Sequence, residues 1–191
     1  MIEKLMIGVR SLPRKSAEIA AKVNEIIDTL GTSNMLGGYA NYINGDVTPI
    51  NIPAGVETKL TLDASTGTIV DELPDGVTNI WNSTTSQFDF SELKVGDRVR
   101  VRIDGSLTNT GFNESFVLNL VMGIGSTKEF TLPFASGNRL FAGTSVVSRY
   151  NGFYIGSQEL IDNPSELRIQ TTDASSGFLI DLYIEVDRKS A

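Results

Sequence analysis

Residues 177–186 read Gly-Phe-Leu-Ile-Asp-Leu-Tyr-Ile-Glu-Val, and the alternation in this stretch decides the fold. Successive side chains of a strand point to opposite faces. That places Phe178, Ile180, Leu182, Ile184 and Val186 on one side, with Leu179, Asp181, Tyr183 and Glu185 on the other. An apolar face backed by a mixed one is the pattern of an antiparallel strand with its back to a core. Burying five such side chains contributes on the order of 8–15 kcal/mol before entropy, at roughly 1.5–3 kcal/mol each. The run lies near the C-terminus, so the chain is expected to close its core last, as a β-sandwich does.

Upstream of this run the text is β back to Tyr39. The predicted strands are 39–43, 48–52, 57–62, 68–73, 77–82, 97–103, 115–122, 128–134, 144–150, 153–155 and 166–171. Between or beside them stand Asn44-Gly45, Asp75-Gly76, Asp104-Gly105 and Asn151-Gly152, dipeptides suited to hairpin turns. Short strands at this spacing predict a mainly β fold, an antiparallel β-sandwich or jelly roll over 39–191. Asp63-Ala-Ser-Thr-Gly67 and Asp173-Ala-Ser-Ser-Gly177 form a near-repeat, which an Asx turn followed by a glycine explains locally.

One short helix precedes the β text. Ser16 can cap it, Glu18 complements the positive end of its dipole, and Gly31 supplies a left-handed stop after Leu30. Ile19, Val23, Ile26 and Leu30 follow a 4-3-4 spacing, with Ile27 beside them, which is an oligomerisation seam. A helix of about 15 residues is marginal alone in water, so it leans on its own domain or on copies of itself. Residues 32–38 read as a Gly-rich connector, giving a 16–38 helix-and-connector segment. Residues 1–15 form an arm in which Ile2, Leu5, Met6, Ile7 and Val9 are apolar and Arg10 is basic. The arm either packs on its own domain or inserts into a partner.

Composition removes several function classes. The 191 residues contain no cysteine and no histidine, hence no thiolate or His-ligated metal site and no histidine-based catalytic triad. A net charge of −7 argues against a nucleic-acid partner, whose phosphates demand Lys and Arg. No stretch is long and apolar enough to cross a membrane as a helix, and the opening ten residues are too charged for a signal core. The protein is expected to be made in a cytoplasm and to need no cofactor.

The remaining motifs carry little chemistry. Gly123-Ile-Gly-Ser-Thr-Lys128 lacks the Walker spacing and sits between strands, so it reads as a hairpin turn. Asp71, Glu72 and Asp162 read as surface acids; glycoside hydrolysis needs two carboxylates held across a cleft. Trp81 shares a face with Val77 and Asn79 and is expected to be buried or at an interface. Arg98, Arg100 and Arg102 alternate with Val99, Val101 and Ile103, the most unusual local feature of the chain. They are either a solvated face paired with neighbouring acids or interface ion pairs between subunits, for which arginine is suited.

Four blocks carry a resemblance: Pro49–Thr61 (PINIPAGVETKLT), Leu73–Asn82 (LPDGVTNIWN), Val95–Asp104 (VGDRVRVRID) and Ser176–Ile180 (SGFLI). With the short helix and glycine break before them, they resemble bacteriophage virion proteins of the head decoration, head fibre and tail-needle knob type. Those domains are similar to the trimeric tumour-necrosis-factor and C1q jelly rolls. The resemblance implies a non-enzymatic structural protein located in the virion, a homotrimer whose arm anchors to capsid or another virion protein. The helix is shorter than a tail needle's coiled coil, which favours decoration or head fibre. The alternative is a carbohydrate- or host-surface-binding module, which would place exposed Tyr150 and Tyr154 against a host-surface glycan.

Overall fold

The computed structural model describes residues 18, 19, 21–25, 36–139 and 141–189. The chain divides into two units, residues 1–35 and 36–191. In the first, residues 18, 19 and 21–25 are helical. Ile19 and Val23 of the seam are 64% and 45% exposed. The other seam positions, Ile26, Ile27 and Leu30, lie outside the described residues, as do Ile2, Leu5, Met6, Ile7, Val9 and Arg10 of the arm.

Among the described residues, the second unit carries eleven strands and a one-turn helix at Gln158–Asp162. The strands are β1 (Gly37–Ile43), β2 (Ile50–Ile52), β3 (Thr58–Lys59), β4 (Trp81–Asn82), β5 (Gln87–Phe88) and β6 (Arg98–Asn109). They continue with β7 (Glu114–Met122), β8 (Phe130–Arg139), β9 (Gly143–Tyr154), β10 (Glu166–Thr171) and β11 (Ser175–Asp187). One sheet runs β1-β11-β6-β9, with β2 also on β11; the other runs β3-β10-β7-β8. Every paired neighbour is antiparallel. With β2 and the small β4–β5 hairpin set aside, the first and last strands pair, the second pairs the next to last, and the chain shuttles between sheets. This is a jelly roll, a mainly β antiparallel sandwich preceded by a short helix.

The core lies between the two sheets. Val99, Val101, Ile103 and Leu107 of β6 and Leu182, Ile184 and Val186 of β11 face Phe116, Leu118, Leu120, Leu167 and Ile169, all buried. Trp81 is buried beside them, its ring edge-on to Phe88 at 5.0 Å and its Nε1–H donating to the Leu62 carbonyl at 3.0 Å.

The alternation of β11 is interrupted. The register with β6 shifts between Leu179 and Asp181, so Ile180 is an extra residue and the strand bulges there. Downstream of the bulge Leu182, Ile184 and Val186 point inward as expected. Upstream the parity is reversed: Leu179 is buried, whereas Phe178 and Ile180 turn away from the core and are only half-buried. The expected all-apolar core face from Phe178 to Val186 is therefore corrected to Leu179, Leu182, Ile184 and Val186.

Two of the four predicted turns are not turns. Asp104-Gly105 lies inside β6, and Asn151-Gly152 lies inside β9. The twelve-residue ladder between β6 and β9 satisfies a run of backbone groups that a turn would leave open. Gly152 is needed for close approach instead: a Cβ there would come within 3.2 Å of the Val99 carbonyl and of Arg100 Cγ. The segments 68–73 and 77–82, predicted as strands, are mostly loop. The first joins β1 through a bridge of Ile69 to Asn41 and a hydrogen bond from the Tyr39 N–H to the Glu72 carbonyl at 2.8 Å, and the second contributes only β4.

A candidate self-association face

Arg98, Arg100 and Arg102 project from β6 on the face of the first sheet that points away from the core. The antiparallel register sets what surrounds each one. Arg98 is flanked by Asp187 and Tyr154, Arg100 by Glu185 and Gly152, and Arg102 by Tyr183 and Tyr150. The next row is Asp181–Asp104–Ser148, and β1 adds Tyr39 beside Glu185.

The side chains use that layout fully. The Arg100 guanidinium reaches Glu185 Oε2 and Asp187 Oδ2, both at 2.9 Å. Arg102 Nε donates to Asp104 Oδ2 at 2.8 Å, and its Nη2 lies 3.6 Å from Asp181 Oδ1, close enough for an ion pair but too far for a hydrogen bond. The Tyr150 hydroxyl donates to Glu185 Oε2 at 2.9 Å. Tyr39 and Tyr183 stack with ring centres 5.4 Å apart, Arg102 lies over Tyr183 at 5.2 Å, and Arg98 lies over Tyr154 at 5.9 Å.

The electrostatics follow from these contacts. Burial pushes the Glu185 carboxyl up, but the hydrogen bonds from Arg100 and Tyr150 outweigh it and leave the group below its ordinary range. The Glu185 hydrogen bond holds the Arg100 guanidinium above its usual value. Asp181 goes the other way: burial first, then the Asp104 carboxyl beside it, raise it against the pull of Arg102. Three guanidinium groups thus face four carboxyls, and the face is close to neutral in a chain of net charge −7.

The other sequence candidates are placed elsewhere. The segment 123–128 links β7 to β8 with Gly123 and Gly125 at φ 67 and 82, and Lys128 pairs with Glu159 at 2.9 Å. Asp71 and Glu72 lie in a loop, and Asp162 accepts from Gln158 within the one-turn helix at 2.9 Å. Tyr150 and Tyr154, 54% and 64% exposed, stand on edge strand β9 as part of the arginine face. Among the described residues no cluster of three or more acids could hold a metal ion, and no helix is long and apolar enough to cross a membrane.

No protein-family model matches the chain, and no curated protein matches it. Solved structures are similar to it at low identity. The Eiger TNF of S. frugiperda is 10% identical at a TM-score of 0.46, over 83% of this chain and 95% of that one. PRD1 vertex protein P5 is 11% identical at 0.40, over 81% and 99%. The CBM22-1 xylan-binding domain of Paenibacillus barcinonensis Xyn10C is 12% identical at 0.38, over 83% and 97%.

What the sequence reading missed on this face is the set of partners. Asp181, Tyr183 and Glu185 were legible as the outer side of one strand and the arginines as the outer side of another. Their pairing depends on β6 and β11 being neighbours, across about 80 residues of chain, which no local spacing reveals.

Proposed function

We propose that this chain is a non-enzymatic structural protein that works by assembling with copies of itself, as a homotrimeric head decoration or head-fibre protein of a phage particle. The arm 1–15 anchors it to capsid or another virion protein, and the β unit projects outward. The observation that carries the self-assembly is the arginine–tyrosine face. Arg100 and Arg102 are already paired with carboxylates of the same chain and Arg98 lies over the Tyr154 ring, so covering the face strands no arginine without a contact, and its rings are the side chains that interfaces favour. Elsewhere the net negative charge repels a second copy, which makes this neutral face the place where copies can meet. The exposed Ile19 and Val23 add a second contact along the same lines. The virion role rests on the sequence resemblance. Three weak arms engaging together bind strongly through effective concentration.

Light scattering on the full chain tests the assembly: the expected mass is about 62 kDa, three times 20.7 kDa. A single-chain mass at micromolar concentration would refute it. Deleting residues 1–15 should leave a folded oligomer that no longer attaches to particles. Full occupancy by the truncated protein would show that the arm is not the anchor. Tyr150 and Tyr154 lie on the face that assembly covers, so in this reading they are spent on copies and not on a glycan.

A further inference from the structure

A groove of about 320 Å³ lies beside the β11 bulge, walled by residues of 44–50, by Thr61 and Asp63, by Ser83 and Ser86, and by Phe178. Its construction starts from Asn44, which is nearly buried. The Asn44 backbone N–H donates to the carbonyl of Ile180, the extra residue of the bulge, at 2.9 Å. Its Nδ2 donates to the carbonyls of Leu179 and Asp46 at 2.8 and 2.6 Å, and its Oδ1 accepts from the Asp63 N–H at 3.1 Å. One side chain therefore fixes Asp46 and Asp63 against the bulge. Asp63 Oδ1 accepts from the N–H groups of Gly45 and Ser65, and Asp46 Oδ1 from that of Thr48. The Thr48 hydroxyl and N–H on Asp46, and the Gly45 N–H together with the hydroxyl (2.8 Å to Oδ2) and N–H of Ser65 on Asp63, hold both carboxyls below the ordinary aspartate range. The same bulge turns Phe178 out of the core and into the groove wall. Bulges beside binding sites commonly re-aim a side chain in this way.

We propose that this groove binds a neutral saccharide. Two fixed carboxylates present acceptor oxygens for sugar hydroxyls in the strong, charge-assisted form. Thr61 and Ser83 supply short hydroxyls that can donate or accept, the Thr48 hydroxyl being turned to Asp46, and Phe178 offers an apolar surface for the sugar's C–H face. The volume is at the small end of ligand-sized sites. No lysine or arginine lines the groove, so sulfated, phosphorylated and sialylated ligands meet two carboxylates with no counter-charge. A calcium ion is the poorer occupant, because it wants six to eight oxygens and the carboxylates here are partly occupied by backbone donors. The inference goes beyond the assembly reading and does not rest on it.

The test screens the full-length protein on an array of neutral and charged glycans and follows the best neutral hit by titration calorimetry in the presence of EDTA. A neutral oligosaccharide is expected to bind. Asp46→Asn and Phe178→Leu should each weaken it about tenfold or more, while keeping the wild-type melting temperature and oligomeric mass. Tyr150→Ala should bind as the wild type does. Four results overturn the proposal: no neutral glycan bound at millimolar concentration, binding of charged glycans alone, binding abolished by EDTA, or loss with Tyr150→Ala but not with the groove variants. Since oligomeric mass is read separately, failure here and failure of the assembly reading are distinguishable.

Discussion

Replacing Arg100 with methionine removes the charge at the middle of the assembly face while keeping an unbranched apolar stem. In a single chain the loss is small. Arg100 is a quarter exposed and its partners Glu185 and Asp187 more so, and such ion pairs contribute about 0–1 kcal/mol each, so two cost at most about 2 kcal/mol. Under a second copy Glu185 would be covered with no cation to meet it, and Asp187 would be left with only its cross-strand neighbour Arg98. A buried charge deprived of its partner costs about 3–5 kcal/mol, and each 1.4 kcal/mol is about tenfold in affinity. Association should therefore weaken about a hundredfold or more, far beyond the change in folding. Equilibrium sedimentation over a concentration series measures the first quantity. Denaturant unfolding of the dissociated chain, followed by the fluorescence of the single buried Trp81, measures the second. If Arg100→Met assembles within about threefold of the wild type, the arginine face is not where copies meet.

Four further outcomes are expected. The buried Tyr42 hydroxyl donates to Asn79 Oδ1 at 2.6 Å and accepts from the Ile80 N–H at 2.9 Å, and burial pushes it up to about 12. Its contribution is thus present below the unfolded value of about 10 and lost as pH rises through the folded one; Tyr42→Phe should cost about 1–2 kcal/mol at neutral pH and lack that alkaline loss in urea titrations. Asp181 has a raised carboxyl, so its native form is favoured at acid pH and the advantage fades as pH climbs through the folded value. Asp181→Asn should accordingly raise the melting temperature at about pH 7 more than at about pH 3, where both folded and unfolded forms hold the proton. Ile184→Ala, at a fully buried position, should cost about 2–5 kcal/mol in chemical denaturation without changing oligomeric state at saturating concentration. Ile19→Ser with Val23→Ser should loosen assembly more on dilution than at high concentration, as light scattering would show.

The sandwich was legible because its strongest strands obey period two almost throughout. Val99, Val101 and Ile103 fall inward against outward Arg98, Arg100 and Arg102, and Leu182 to Val186 repeat the pattern. Phe178 was misplaced because alternation counts residues and a bulge adds one without leaving a mark in the hydrophobic pattern. Asp104-Gly105 and Asn151-Gly152 were misread because an Asx-Gly pair offers a turn only where no neighbouring strand claims its backbone groups. Here β6 is paired on both sides, by β11 and β9. The arginines of the candidate face were singled out from sequence alone, but their acids and tyrosines needed the register. The groove was not legible, since Asn44-Gly45 and Asp63 read only as local turns and their meeting with the strand that carries Phe178 depends on one buried amide.

The bulge gives β11 two parities joined at a single position. Replacing Ile180 by another residue alters one half-buried side chain, whereas removing it would re-phase everything upstream by one step. Phe178 would swing inside, Leu179 would face outward, and the hooks by which Asn44 holds the strand would lose their carbonyls. Gain or loss of one codon there would exchange the roles of two strand faces, so the strand is tolerant of spelling at this point and intolerant of length.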